Sequence, residues 1–352
     1  MNSFGIVIAC CKADIRYAKA CLHSIRYFLR DVPVCFLVDG PASLCDSIKK
    51  RDRHVVVLSN DSLQNPWLRK TCRGSGHTKM AALWEAPFDA CLYLDADTCV
   101  WGDILSIIPD AEYDLIIIRD RGFGDSVTRQ GTYSDEEIAF WFFNPQKLSV
   151  HFPEFDYGAF RDRYACGGTF FFRRGAMDLA AYQKAWALQQ ENDDLFFFDD
   201  MGIWNFLVLY GVQKKELRVH SLQCQVIPVD HTEEEMRLEY SPLCLEKKRP
   251  LKPAVLHFCG KKTHIFMRSA RAATMNHFRL QYLLQIEGLP RWKALWRLVL
   301  EDIQYIFWPK GKQQVFWKWT KGKQVFWAKW ARAKRAPRKL MRLMKIKGDH
   351  IC

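Results

Sequence analysis

The sequence predicts an α/β protein in which a mostly parallel central sheet carries helices on both faces. Short apolar runs alternate with segments of helical periodicity through the first hundred residues, an order typical of parallel sheets. Turn signals such as Asp39-Gly40-Pro41 separate these runs. At 352 residues, the chain is long enough for one large domain and an appendage.

The predicted elements of the first part follow a regular order. Residues 4–10 are apolar and predict a first buried strand, and apolar side chains at helical spacing predict a helix over residues 13–29. Further apolar runs predict strands at 34–38, 55–58 and 90–94.

The remaining part is less regular. A strand is predicted at 115–118, followed by a polar, Gly-containing loop with a short helix over 119–144, and Cys166 to Phe172 predicts a strand entered through two glycines. The last predicted elements are helices at 176–190, at 200–210 with Gly211 as the stop, and at 263–285, with a strand at 255–258.

Aspartates follow two of the predicted strands. Asp39 follows the second strand, and Asp95 and Asp97, with one small residue between them, follow the fourth. Ligands of parallel sheets bind at the carboxyl ends of the strands. A tight turn can direct both carboxylates of Asp95 and Asp97 to one cation, and Mg²⁺ is usually held by one or two carboxylates. The alternatives are a solvated turn in which Asp97 caps a helix, and ordinary Asp-Gly turn chemistry at Asp39.

Positive charge is concentrated at the C-terminus. The whole chain has a net charge of +13. From Arg291 onwards 17 Lys and Arg face 3 Asp and Glu, a balance of +14, whereas residues 1–290 hold 35 basic and 36 acidic residues. An anionic surface partner is therefore expected to bind residues 291–352.

The same segment is rich in tryptophan. Seven of the 13 tryptophans lie past residue 290, and residues 310–319 are repeated imperfectly at 321–330. Tryptophan favours the membrane interface, and lysine and arginine attract anionic lipid. We therefore expect a basic, amphipathic helical tail that associates with a membrane. The alternatives are packing of the Trp face on the rest of the chain, or nucleic-acid binding, which is disfavoured because no recognised nucleic-acid module accompanies the tail.

Other features favour a cytoplasmic protein on the inner face of the membrane. No apolar run is long enough to span a bilayer, and no basic leader precedes the first apolar run. The 13 cysteines include no Cys-x-x-Cys pair and are expected to be buried, reduced thiols.

A series of motifs resembles the GT-A glycosyltransferases, especially family 8, which includes glycogenin and bacterial lipopolysaccharide galactosyl- and glucosyltransferases. The motifs are, in order, Lys79, the segment Leu92-Tyr93-Leu94-Asp95-Ala96-Asp97-Thr98, Gly167-Gly168 before a strand, Asp200 with Asn205, and His257-Phe258-Cys259-Gly260. The resemblance implies a GT-A fold and a hexosyltransferase that moves a sugar from a nucleotide-diphosphate donor, such as a UDP-sugar, to a glycan or glycolipid acceptor. It also implies Mn²⁺ or Mg²⁺ and retention of configuration, although an inverting enzyme with Asp200 as base stays open.

The resemblance implies a metal site formed by Asp95, Asp97 and His257. Asp97 would bind the metal directly, Asp95 would share the metal and the ribose, and His257 would be a third ligand. A divalent ion at this place stabilises the charge that grows on the leaving diphosphate. The alternative for His257 is a core histidine hydrogen-bonded to backbone.

Further residues are implied to contact the donor. Lys79, on a predicted helix, would neutralise phosphate, or is an ordinary surface lysine. Asp39 would meet the base or ribose, and the backbone of Ala9 the nucleobase. Gly167 and Gly168 would allow close approach to the donor sugar, or simply permit an unusual turn.

The implied catalytic residue is Asp200, which would face the sugar and the acceptor. Asp199 is the alternative, and helix capping is the structural explanation for both. Near Gly260, the sequence departs from the family pattern because Thr263 stands where a lysine is expected. We therefore expect Lys261 or Lys262 to serve the diphosphate.

Two more departures weaken any inference about the sugar. Met201 replaces a common glutamine, and Ala165 stands near a common asparagine.

We expect a glycosyltransferase domain over residues 1–265, a closing helix over 266–290 and the tail over 291–352. The domain divides into a nucleotide-binding half, 1–110, and an acceptor half, 111–265. Two other functions are alternatives to a glycosyltransferase. A sugar-nucleotide pyrophosphorylase would need a Gly-rich phosphate loop after the first strand, which residues 10–14 do not offer. The other is a non-catalytic protein that binds anionic surfaces.

Overall fold

The computed structural model describes residues 3–74, 76–109, 112–120, 132–198, 200–260 and 262–307. The chain forms two units, Met1–Glu301 and Asp302–Cys352. The first unit contains the sheet and the candidate site. Of the second unit, only the end of the last helix is described, so most of the predicted tail, including the repeat, lies outside the described residues.

Nine strands in the described part of the chain form one sheet. Its order is β3-β2-β1-β4-β7-β6-β8-β9-β5. All strands share one direction except β7 and β5, which are antiparallel to their neighbours, so the predicted mostly parallel sheet is confirmed. The strands are β1 Phe4–Cys11, β2 Val34–Asp39, β3 Val55–Ser59, β4 Ala90–Asp95, β5 Thr98–Trp101, β6 Leu115–Asp120, β7 Thr169–Arg173, β8 Val219–Val226 and β9 Ala254–His257.

Helices cover both faces of this sheet. Side chains alternate along each strand, so Val7 packs with Trp204 on one face, whereas Ile6 and Ile8 pack with Leu22 on the other. The α-helices of the described residues are α1 Ile15–Leu29, α2 Asp46–Lys49, α3 Pro66–Thr71, α4 Ala82–Glu85, α5 Asp135–Trp141, α6 Pro145–His151, α7 Leu179–Glu191, α8 Asp200–Gln213, α9 Glu233–Glu239, α10 Pro242–Glu246, α11 Ala270–Gln281 and α12 Arg291–Phe307.

Several predicted helix limits were wrong. Helix α7 begins at Leu179, not at residue 176, because the Asp178 side chain caps it by accepting from the Ala180 and Ala181 N–H groups. Helix α8 continues through Gly211, and a Cβ atom at this position would lie 2.7 Å from Leu217 Cδ1. The predicted helix at 263–285 begins only at Ala270, and a π-helical turn, Tyr282–Ile286, extends it.

Two strands were not predicted. β5 has only four residues and follows the Asp-x-Asp turn directly, so no separate apolar run marks it. β8 has the mixed sequence Val-His-Ser-Leu-Gln-Cys-Gln-Val, which contains no continuous apolar run, and it is buried only in its last three residues.

The start of α12 packs into the first unit. Ala294 and Leu298 are buried in the same apolar cluster as Tyr282 and Leu283. The boundaries expected at residues 265 and 290 stay predictions.

His23 on α1 predicts acid sensitivity of the fold. Its ring is buried against Phe278 and Tyr282. Burial first, and then His277, lower its pKa from 6.5 to about 4. Between pH 6.5 and about pH 4, His23 binds a proton in the unfolded chain but not in the folded chain. This residue should therefore remove about 3 kcal/mol of unfolding free energy between those pH values.

In His23→Phe, the loss of unfolding free energy between pH 6.5 and pH 4 should be smaller by about 3 kcal/mol. Urea unfolding at pH 7 and pH 4 measures the decline, with His54→Gln, at a partly exposed histidine, as the control. An unchanged decline in His23→Phe would contradict this assignment.

Candidate active site

The Asp-x-Asp segment forms the tight turn between β4 and β5. Asp95 ends β4, opposite Ala9 of β1, and β5 begins at Thr98. The Thr98 hydroxyl donates to the Asp95 carbonyl over 2.8 Å and closes the turn. Asp97 is nearly buried, with 8% of its side chain exposed, against 26% for Asp95. Both carboxylates lie at the carboxyl edge of the parallel strands, as predicted.

His257 joins these carboxylates because β9 pairs with β5. His257 lies opposite Thr98 in this antiparallel ladder, and the Phe258 N–H donates to the Asp97 carbonyl over 2.9 Å. The His257 Nε2 atom is 3.6 Å from an oxygen of Asp95 and 3.6 Å from an oxygen of Asp97. One ligand atom from each of the three residues lies within 4.8 Å of the others. Two carboxylates and one imidazole are a donor set that suits Mn²⁺ better than Mg²⁺, which prefers oxygen ligands.

Lys262 contacts this cluster directly. Its Nζ atom forms an ion pair with Asp97 Oδ2. Burial alone raises the pKa of Asp97, but Lys262 and then His257 outweigh burial and hold that pKa well below its usual range. Asp97 is therefore ionised at neutral pH, as a metal ligand must be.

A second ion pair lies beside the first cluster. Lys79 is in a helix, as predicted, and this helix is a short 3₁₀-helix, His77–Ala81. Its Nζ atom lies 2.6 Å from Asp200 Oδ2 and 3.5 Å from Asp95 Oδ1, and it donates to the Gly167 carbonyl over 2.9 Å. Burial lowers the pKa of Lys79, but Asp200 and Asp95 reverse this effect and raise it. Asp95 is thus shared by the possible metal cluster and by the Lys79 pair.

Two glycines make room for these side chains. A Cβ atom on Gly168 would lie 2.2 Å from His257 Cε1 and 2.8 Å from Asp95 Oδ2. A Cβ atom on Gly76, whose φ is +97°, would lie 2.0 Å from Asp200 Oδ1. Gly168 is therefore explained by the packing of the three-residue cluster itself, an explanation that sequence reasoning did not include.

Two of the solved structures that this chain resembles are of a galactosyltransferase. The galactosyltransferase LgtC, solved in complex with donor and acceptor sugar analogues, superposes with a TM-score of 0.51 at 15% identity, over 83% of this chain and 99% of its own. The Q189E active-site mutant of LgtC gives 0.53 at 16% identity, over 82% and 99%. The chain has the GT-A fold. No protein-family model matches the sequence. No curated protein sequence matches it either.

Within the GT-A fold, the other predicted donor contacts occupy the same edge of the sheet or the loops beside it. Asp39 lies opposite Cys11 and accepts from Asn60 Nδ2 over 3.0 Å and from the Gly74 N–H over 2.9 Å. Gly260 has a φ of +79° and open space where a side chain would be. The roles of Ala9, Asp39 and Gly260 toward a donor stay predictions, while Asp199 and Lys261 lie outside the described residues.

Sequence reasoning missed several residues of this GT-A site. The Tyr93 hydroxyl donates to Asp95 Oδ1 over 2.6 Å, and Gln225 and Cys166 face the far side of the His257 ring. Asp14 lies close enough to Lys262 for that lysine to oppose the rise in its pKa that burial causes. For Asp14 a signal existed, because it follows β1 at the same edge as Asp39 and Asp95.

Gly168→Ala should damage the three-residue cluster without disturbing the backbone conformation. The new methyl group must displace His257 or Asp95, so we expect divalent-cation affinity to fall at least about tenfold and unfolding free energy by about 1–3 kcal/mol. Isothermal titration with Mn²⁺ and urea unfolding measure these effects. Gly167→Ala is the matched control, since its Cβ atom would make ordinary contacts of 3.6 Å or more with Trp204. Equal Mn²⁺ affinities in the two variants would refute the packing role of Gly168.

Proposed function

We propose that this protein is a metal-dependent glycosyltransferase that moves a sugar from a nucleotide-diphosphate donor, such as a UDP-sugar, to a glycan or glycolipid acceptor. The observation that carries the proposal is the cluster of Asp95, Asp97 and His257 at the carboxyl edge of the sheet, in a GT-A fold. This edge is where parallel α/β sheets bind their ligands.

Each residue of the site has a chemical task in this proposal. Asp95, Asp97 and His257 would hold a divalent cation, which as a Lewis acid stabilises charge on a leaving diphosphate. Lys262 would bind a phosphate oxygen next to Asp97, a contact that would replace its ion pair with Asp97. Lys79 contacts the carboxylates of both Asp200 and Asp95, and would thereby hold Asp200 for its proposed role beside the reacting sugar. Retention of configuration is proposed on the strength of the family resemblance.

A donor screen tests this function. The full-length protein is incubated with UDP- and GDP-sugars, with Mn²⁺, Mg²⁺ or EDTA, and the released nucleotide is measured. We expect hydrolysis of at least one donor with metal and its loss with EDTA. Release of pyrophosphate from a nucleoside triphosphate and a sugar 1-phosphate would instead indicate a pyrophosphorylase, and no turnover at all would favour a non-catalytic protein.

We also propose that the C-terminal part binds an anionic membrane surface from the cytoplasmic side. Trp292, Leu295, Trp296 and Leu300 are exposed on one side of α12, and two of them, Trp292 and Trp296, are 67% and 61% exposed. The excess of 14 positive charges from Arg291 onwards complements anionic lipid. No helix among the described residues is long and apolar enough to cross a membrane.

Serine at both exposed tryptophans should weaken membrane binding. Because interfacial binding scales with buried apolar area, we expect Trp292→Ser/Trp296→Ser to bind vesicles of phosphatidylcholine and phosphatidylglycerol at least about tenfold more weakly. Flotation of protein with vesicles measures binding. Val150→Ser/Leu238→Ser, at other exposed apolar positions, is the matched control. If both double variants float as the parent does, α12 is not the membrane contact.

A further inference from the structure

The two nitrogens of His257 face different surroundings. Nε2 points to the carboxylates of Asp95 and Asp97, whereas Nδ1 lies 3.4 Å from the side-chain nitrogen of Gln225 and 3.7 Å from the Cys166 sulfur. Gln225 is 1% exposed, and within the described part of the chain its side-chain oxygen has no hydrogen-bond partner. A buried amide oxygen without a partner is costly, so this arrangement needs an explanation.

Rotation of the Gln225 side-chain amide by 180° gives this oxygen a partner. The oxygen and nitrogen of a glutamine side chain are nearly equivalent in shape, and their assignment follows from the hydrogen bonds they can make. With the oxygen toward His257, Gln225 accepts a hydrogen bond from Nδ1–H, so the amide oxygen gains a partner. A histidine that carries its proton on Nδ1 leaves the Nε2 lone pair free for a metal ion.

We propose that Gln225 is a positioning residue for the metal ligand His257, because its side-chain oxygen fixes the Nδ1–H form of the ring and directs Nε2 toward the cation. This inference rests on the proposed divalent-cation site. Histidine ligands usually donate their other N–H to an outer partner that fixes the ring. Between the two neighbours of Nδ1, the amide oxygen is a much stronger acceptor than the Cys166 sulfur.

An irregularity in β8 aims Gln225 at this ring. Arg119 of β6 pairs with Gln223, but the next residue, Asp120, pairs with Gln225, so β8 contains one extra residue, Cys224. Such a bulge re-aims the side chains that follow it. Gln225 then pairs with Val255, which lies on the same face of β9 as His257 two residues later. Without the extra residue, Gln225 would point to the opposite face.

The test compares two variants of the full-length protein in titrations with Mn²⁺ alone. Gln225→Met keeps the side-chain volume but removes the strong acceptor, and we expect Mn²⁺ affinity to fall about 10- to 100-fold. Gln225→Glu keeps an acceptor and should bind Mn²⁺ within about threefold of the parent or more tightly, by the same principle. Gln223→Met, an exposed position on the same strand, is the control and should not change affinity.

A second measurement separates positioning from packing. The imidazole ¹⁵N shifts of His257 are recorded without metal at alkaline pH, because neighbouring groups raise the pKa of this histidine. Assigned by their absence in His257→Gln, they should report Nδ1–H in the parent and in Gln225→Glu, and a shift toward Nε2–H in Gln225→Met. Parent-like Mn²⁺ affinity in Gln225→Met, or equal weakening by Met and Glu, would overturn the inference. A parent protein that binds no Mn²⁺ would overturn the proposed function instead, and the ¹⁵N shifts alone would then decide the role of Gln225.

Discussion

Asp97→Asn should greatly reduce metal-dependent donor turnover while the protein stays folded. Asparagine keeps the shape of Asp97 but removes the charge that attracts a divalent cation. We expect Mn²⁺ affinity to fall at least about 100-fold and donor hydrolysis to fall about 10³-fold. Titration calorimetry and nucleotide release measure the two effects.

The control for this variant is Asp178→Asn. Asp178 caps α7 away from the three-residue cluster, and asparagine is an equally good cap, so neither stability nor turnover should change. Donor hydrolysis by Asp97→Asn within tenfold of the parent would show that this carboxylate does not hold the catalytic ion.

Lys79→Met should cause the largest loss of stability of any single substitution in the site. Lys79 is buried between Asp200 and Asp95, and its removal leaves the buried carboxylate of Asp200 without its cation. Breaking a buried ion pair from one side costs about 3–5 kcal/mol of unfolding free energy. Lys147→Met is the control, since the Lys147–Asp194 pair is exposed by 44% and 58% and should contribute less than about 1 kcal/mol.

The loss should depend on pH in a defined direction. Burial raises the pKa of Asp200 in the folded protein above its ordinary value of 3.8 even with Lys79 beside it, and removal of Lys79 should raise that pKa further. The penalty is then greatest at neutral pH and shrinks as the pH falls toward 4, because the folded protein gains its proton first. Lys79→Met/Asp200→Asn should recover part of the stability at pH 7. A double variant no more stable than Lys79→Met would contradict the pairing.

The sequence predicted the acidic part of the site because its signal is local. Asp95 and Asp97 follow an apolar strand that must be buried, and parallel strands end at a common edge. His257 was implied by the family resemblance. The structure supplies its physical reason, since the unpredicted strand β5 places Thr98 opposite His257.

Other features depend on contacts between distant segments and leave no local pattern. Lys79 and Asp200 are 121 positions apart in the sequence and meet at 2.6 Å only in the fold. Gln225 reaches His257 through a bulge in a strand too polar to be recognised. The glycine at position 168 was noticed, but its neighbours His257 and Asp95 come from two other strands.

A crystal structure with Mn²⁺ and UDP, recorded at the manganese absorption edge, tests the central claim most directly. We predict one anomalous peak, from a manganese ion that is bonded to the Asp97 carboxylate and to His257 Nε2 and has the diphosphate as a further ligand. A diphosphate bound elsewhere, with no manganese between it and Asp97, would contradict the account.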